Sequence, residues 1–337
     1  MAWSLSGRRL FCFHGHLRLL VSLLPAAIVV NVLLYVLLFS KSRVVVLQPD
    51  DIAENLVADA ESLRLLNATR NAKVCDVFAA AKMTAQADEA LDSLAERYGV
   101  RPGGAWRPKD CVPLYRIAVI VSYRDRPDNL NDFLAYMHPF LSSQNLDYRI
   151  VIVEQVAGRP FNRAKLFNVG FQEIEKLKSS GQFAKPPSCY IFHDVDLIPQ
   201  DGRNVYACTK LVRHMSANID VFEYKVPYDS IIGGAVAVGR RRFLEANGFS
   251  NTFFGWGGED DDFYNRITRD GGRVCRYSAD VSRYVMLSHK KQKPSADRYY
   301  FLVTGKDRYA TDGLNSLKYT VVKFELLPLY TRIVVDI

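Results

Sequence analysis

The sequence has no internal repeat and no low-complexity tract, and its length and apolar content are not those of a disordered tail. It also lacks any acidic residue before Asp50, although Arg8, Arg9, Arg18, Lys41 and Arg43 all precede that point. Those five positive charges leave only +3 of the formal +8 for the rest of the chain, too little for a nucleic-acid surface. Between Leu19 and Ser40 charge is missing altogether, and the run LLVSLLPAAIVVNVLLYVLLFS is long enough, at ~1.5 Å per residue, to cross ~30 Å of hydrocarbon. A cleaved signal peptide fits less well, because Tyr35 to Phe39 and then Lys41 follow in place of a small-residue cleavage site. The expectation is a cytosolic tail at 1–18, a transmembrane signal anchor at 19–40 and a lumenal body beyond, oriented by Arg8, Arg9 and Arg18.

Cysteine is sparse, six in all. Cys12 precedes the apolar run; Cys75, Cys111, Cys189 and Cys208 can form two bridges in an oxidising lumen, leaving Cys275 as a buried thiol. Asn67-Ala68-Thr69 is the single N-glycosylation sequon and falls on the same side.

What is present is enough apolar material, 49% of 337 residues, for one sizeable core. Residues 41–100 read as a stem with helical spacing but no sustained core pattern, ending in a surface helix. Composition changes at Arg101-Pro102-Gly103-Gly104, so the lumenal catalytic domain is expected at 101–337. There Arg116 to Val121 reads as a strand buried on both faces, Asp128 to Ser143 as a helix and Tyr148 to Glu154 as a second strand. Phe161 to Lys178 then reads as a helix and Cys189 to Phe192 as a third strand. That order predicts an α/β, Rossmann-like domain with a parallel sheet, in which ligands bind beyond the carboxyl ends of the strands.

Two segments lie at such ends, Ser122 to Arg126 and His193 to Asp196. In the second, Asp194 and Asp196 sit two residues apart after an apolar strand, where both can face a divalent cation and a diphosphate. Arg124 and Arg126 can clamp phosphates, and Tyr123 or Phe161 can stack on a base. Further on, Gly255-Trp256-Gly257-Gly258 leads into Glu259-Asp260-Asp261-Asp262. A Trp among glycines can lie against a sugar face while a neighbouring carboxylate acts as general base on a hydroxyl; favourable acids in a helix's first turn are the plainer explanation. Met286 and His289 stand three apart after an apolar stretch.

The blocks FNRAKLFNVGF (161–171), HDVDLIP (193–199), IIGGAVAV (231–238), GWGGEDDDFYNR (255–266) and DGLNSLKY (312–319) together resemble the β-1,4-galactosyltransferase family. The resemblance runs from about Pro102 to the end and implies a GT-A-like fold and an inverting, Mn²⁺-dependent transfer from a UDP-sugar to the 4-hydroxyl of terminal N-acetylglucosamine (GlcNAc). It implies that Asp196, Met286 and His289 ligate the metal, that Asp260 is the general base, and that Glu259 and Trp256 hold the sugars. Tyr123, Arg124, Arg126, Phe161, Arg163, Asp194, Val195, Ile231 and Gly234 match positions facing the donor. Gly258, Arg298, Tyr299 and Leu302 match positions facing the acceptor. Where the family usually has Pro-Phe-Arg this chain has Ser122-Tyr123-Arg124, and the segment before Arg298 is about three residues shorter. The resemblance pairs Cys189 with Cys208 and Cys75 with Cys111, implies a single-pass Golgi membrane protein, and leaves open a homodimer or an accessory membrane partner. Ile231 stands where vertebrate members carry Tyr, as in the invertebrate N-acetylgalactosaminyltransferase branch. That favours UDP-N-acetylgalactosamine (UDP-GalNAc) as donor, with UDP-galactose (UDP-Gal) as the alternative. A non-catalytic carbohydrate-binding protein and a paired-carboxylate hydrolase are the competing classes.

Overall fold

Strands that alternate their side chains between two covered faces need apolar residues at every position, and Ile117 to Val121 supplies them. In the computed structural model this segment extends to Tyr123 and forms the middle of a ten-stranded sheet. The structure describes residues 43–69, 72–79, 91–179, 186–290 and 292–337. The expected tail and anchor lie outside these residues; among the described ones no helix is long and apolar enough to cross a membrane.

In chain order the strands are β1 (Val44–Leu47), β2 (Ala105–Trp106), β3 (Arg116–Tyr123), β4 (Asp147–Gln155), β5 (Cys189–Asp194), β6 (Leu197–Pro199), β7 (Val212–His214), β8 (Asn218–Ile219), β9 (Ala235–Gly239), β10 (Val274–Tyr277), β11 (Arg283–Met286), β12 (Thr320–Leu326) and β13 (Thr331–Asp336). The main sheet runs β1-β10-β7-β9-β5-β3-β4-β13-β12, with β2 against β4, and a small sheet runs β6-β11-β8. The longer helices are α1 (Ala60–Ala68), α2 (Leu91–Tyr98), α3 (Pro127–Ser143), α4 (Arg163–Ser179), α5 (Arg240–Glu245), α6 (Glu259–Thr268) and α7 (Arg298–Val303).

The expected strand-helix alternation is present from β3 to β5, and these strands pair in parallel. The sheet as a whole is mixed: β9 runs antiparallel to both β5 and β7. Two cores flank it. Ile117, Val119 and Val121 face Phe133, Met137 and Leu141 of α3, whereas Ala118 and Ile120 face Leu166, Phe167 and Ile174 of α4.

The packing runs across the boundary expected at residue 101. Residues 44–337 cluster as one unit, because β1 pairs in parallel with β10 and extends the main sheet. Leu47 and Ile52 are buried beside Tyr277 and Val281. Leu94 of α2, expected on a surface helix, is fully buried against the α3 side of the sheet. The valine run at 44–46 was legible as apolar, but its strand partner lies more than two hundred residues away. Both bridges form, Cys75 with Cys111 and Cys189 with Cys208, and Cys275 is a buried free thiol.

Candidate active site

β5 delivers the first carboxylate. Asp194 closes the strand, its N–H donating to the Gly234 carbonyl (3.1 Å) just before β9. Its Oδ1 accepts from Nε of Arg163 (2.5 Å), the first residue of α4. The same guanidinium reaches Oε1 of Glu259 (3.4 Å) and the Gly234 carbonyl (3.2 Å), and lies over the Phe167 ring. Arg163 thereby ties β5, the 231–234 loop and α6 together, and the facing carboxylates hold it firmly protonated against the cost of burial.

α6 starts after Gly258, whose φ of 91° suits glycine, and puts four acids into its first turn. They do not share one role. Asp262 is fully buried on Nε of Arg266 (2.7 Å), and Arg266 also holds the Asp312 carbonyl, so this acid serves the fold. Glu259 is pushed up to about 7, first by burial and then by the charge of Asp260; its Oε2 is buried with no hydrogen-bond partner among the described residues. Asp260 is also raised by burial, against the opposing pull of Arg163, and Asp261 is raised to about 6 by burial and by Asp260. Asp260 Oδ2 packs on Gly233, where a Cβ would come within 2.7 Å of it. The sequence reading passed over Gly233; the Gly-Gly pair itself was the available signal.

Asp196 lies just past β5. Its Oδ2 accepts from Nη1 of Arg126 (2.7 Å) and stands 2.9 Å from Nδ1 of His289. Its carbonyl accepts from the Leu287 N–H (2.7 Å), and Met286 pairs with Leu197 across the β6-β11 ladder. Carboxylate and imidazole, more than ninety residues apart in sequence, thus meet, and the backbone of Met286 lies one ladder step away. An oxygen and a nitrogen about 3 Å apart have the spacing of two adjacent ligands on an ion with bonds of ~2.1 Å, so the donor set fits a divalent transition metal. Burial and the charge of Asp194 raise Asp196, while Arg126 and His289 lower it. Asp194 also raises Asp260, so both groups of acids belong to one electrostatic cluster.

Beside it opens a groove of 380 Å³ lined by residues 124–129 together with His289, Lys290 and Gln292. Arg124 donates to the Arg159 carbonyl (2.8 Å) and lies over Phe161. Two donor-side expectations change. The Tyr123 ring is buried in the core and its hydroxyl accepts from the Arg126 N–H (3.2 Å), so it shapes the turn and offers no free stacking face. Val195 is buried among apolar neighbours, so only its backbone can face a ligand. Ile231 is half-buried, and its carbonyl and that of Asp229 accept from Arg276 of β10 (2.9 and 2.8 Å). Arg276 was not among the expected residues, since nothing local marks it.

The acceptor candidates form a rim. Trp256 is 56% exposed, and the Arg298 guanidinium lies 5.4 Å from its ring and 4.7 Å from that of Tyr299. The Trp256 carbonyl accepts from the Ser295 N–H (3.0 Å), and Gly257 and Gly258 leave room for the Arg298 side chain. Tyr299 is exposed and Leu302 half-buried on the short α7.

A mixed α/β sheet with these groups at its strand ends follows the rule that ligands bind beyond the carboxyl ends of the strands. The catalytic domain of Drosophila β1,4-galactosyltransferase 7, solved with xylobiose, superposes with a TM-score of 0.53 at 28% identity over 66% of this chain and 93% of that one. A mutant of the same enzyme, solved with manganese, UDP-Gal and xylobiose, gives 0.52. The family model for the N-terminal region of glycosyl transferase group 7 matches residues 72–209, and that for the N-terminal domain of galactosyltransferase matches 213–290. β-1,4-Galactosyltransferase 1 of Mus musculus is 43% identical over 241 residues, 71% of this chain, and β-1,4-galactosyltransferase 2 of Cricetulus griseus is 41% identical over 245 residues, 72% of it. The chain belongs to the β-1,4-galactosyltransferase family. It spans 59% of the mouse relative's length and 65% of the hamster one's.

Proposed function

We propose that this chain is an inverting, Mn²⁺-dependent glycosyltransferase that moves a sugar from a UDP-sugar to the 4-hydroxyl of a terminal GlcNAc. The observation that carries the reading is the Asp196–His289 pair set against the Asp194, Arg163, Glu259 and Asp260 cluster. Asp260, raised above the ordinary carboxylate range, is the general base. It takes the proton as the acceptor oxygen bonds to the donor C1 and the C1–O bond breaks on the opposite face, its electron pair leaving with the UDP phosphate. Bound between Asp196, Met286 and His289, Mn²⁺ would supply positive charge to the departing diphosphate. Arg124 and Arg126 line the adjoining groove and add cationic groups there. Glu259 and Trp256 hold the sugars, with Arg298, Tyr299 and Leu302 on the acceptor side.

The relatives' names favour galactose as the transferred sugar. Ile231 favours a second reading, N-acetylgalactosamine. An apolar, half-buried side chain on the 231–234 loop beside Asp260 offers no hydroxyl to crowd a donor 2-substituent. Assaying the full-length chain with Mn²⁺, a GlcNAc acceptor and each UDP-sugar separates the two. If Ile231 admits the acetamido group, Ile231→Tyr shifts the preference towards UDP-Gal by ~10- to 100-fold; an unchanged ratio removes that residue from the argument. Membrane anchoring, Golgi placement and glycosylation at Asn67, which is exposed at the end of α1, belong to the same proposal. Two disulfides support an oxidising compartment.

A further inference from the structure

The two halves of the proposed metal site come from different strands, Asp196 between β5 and β6 and Met286 with His289 on and after β11, and the β6-β11 ladder with the Leu287 N–H to Asp196 carbonyl bond joins them on one side. His193, Tyr206 and Tyr284, all fully buried, make a second connection from β5 to β11. His193 Nδ1 is 2.8 Å from the Asp194 carbonyl and Nε2 is 2.8 Å from the Tyr206 hydroxyl. The Tyr206 and Tyr284 hydroxyls are 3.0 Å apart, and Asn204 Nδ2 donates towards Tyr284 at 3.5 Å.

The donors in this chain can be assigned by elimination. The Asp194 carbonyl only accepts, so in a neutral imidazole Nδ1 carries the proton and Nε2 accepts from Tyr206. Tyr206 has then spent its hydrogen and accepts from Tyr284, which in turn accepts from Asn204. The Asn204 Oδ1 faces Nη1 of Arg213 (2.9 Å), which fixes the orientation of its amide. Every hydroxyl has a partner and a direction, and no member can turn without leaving a buried polar group unpaired.

We propose that His193, Tyr206 and Tyr284 form a positioning relay that sets the geometry of the metal site by joining its two halves. The inference rests on the reading of Asp196, Met286 and His289 as ligands. At one end the relay grips the peptide between Asp194 and Val195. At the other it holds β11 two residues before Met286, where Tyr284 pairs with Pro199. Its middle member stands two residues before Cys208, whose bridge to Cys189 anchors the loop to the start of β5.

A second buried pair supplies the control. Tyr148 donates to His138 Nδ1 (2.9 Å), whose Nε2 meets the Leu329 carbonyl (2.8 Å), and none of these residues belongs to the site. Mn²⁺ binding is measured on the full-length chain by electron paramagnetic resonance of the free ion in the presence of UDP. Thermal unfolding and the Mn²⁺ dependence of kcat are followed alongside. Tyr206→Phe and Tyr284→Phe each weaken Mn²⁺ binding ~10-fold, with a much smaller loss of kcat at saturating Mn²⁺. Tyr148→Phe loses comparable thermal stability and keeps the wild-type Mn²⁺ affinity. Wild-type affinity in both relay variants, or equal weakening in Tyr148→Phe, overturns the relay. A wild-type chain that binds no Mn²⁺ overturns the metal site itself.

Discussion

The acidic floor and the aromatic rim of the candidate site are built on opposite principles. On the floor, Asp194, Arg163, Glu259 and Asp260 come from three separate elements, are largely buried, and are tied through Arg163, which pairs with Asp194 at 2.5 Å and with Glu259 at 3.4 Å. On the rim, Trp256, Arg298 and Tyr299 are nearer in sequence and are held by ring and guanidinium contacts, with Trp256 and Tyr299 mostly exposed. Buried, mutually paired charge resists displacement, whereas stacked exposed groups tolerate it. The floor is bought with stability. Glu259, ordinarily at 4.5, is raised to about 7, so its ionisation opposes folding; the cost is absent below the unfolded value and complete above about 7.

The comparison is broken most severely on the floor. Asp260→Asn should lower kcat by ~10²- to 10⁴-fold while leaving UDP binding in place; a loss of only a few-fold in steady-state kinetics would take the base role away from it. On the rim, Trp256→Ala should raise the acceptor KM ~10-fold, the equivalent of one aromatic contact, with a smaller rise in the donor KM. An equal rise in both constants would merge the two regions. The mildest effect is on pH. Because Glu259 is raised to about 7, kcat/KM should fall by several-fold between about pH 8 and about pH 6 as this carboxylate protonates. A profile flat through that range would mean that the floor ionises like exposed carboxylates.

Local pattern was enough for the elements that carry the chemistry. The apolar run ending in Asp194-Val195-Asp196 is β5 with its carboxylates at the strand end, and the Gly-Trp-Gly-Gly segment does lead into an acidic helix start. Both disulfides follow the pairing that the family resemblance implied. Local pattern failed where a partner was remote. The valines of β1 looked like stem because β10 was not in view, and Leu94 looked exposed because α3 was not.

The sequence alone determined which residues could bear charge, ligate a metal or stack on a sugar, since these are properties of side chains and of their short-range order. Only the tertiary structure decided which of them meet. The 2.9 Å approach of His289 to Asp196, the division of four consecutive acids into site and scaffold, and the burial that lifts Glu259 all depend on packing between distant segments. Register and desolvation are set by the whole fold, and no stretch of the chain encodes them by itself.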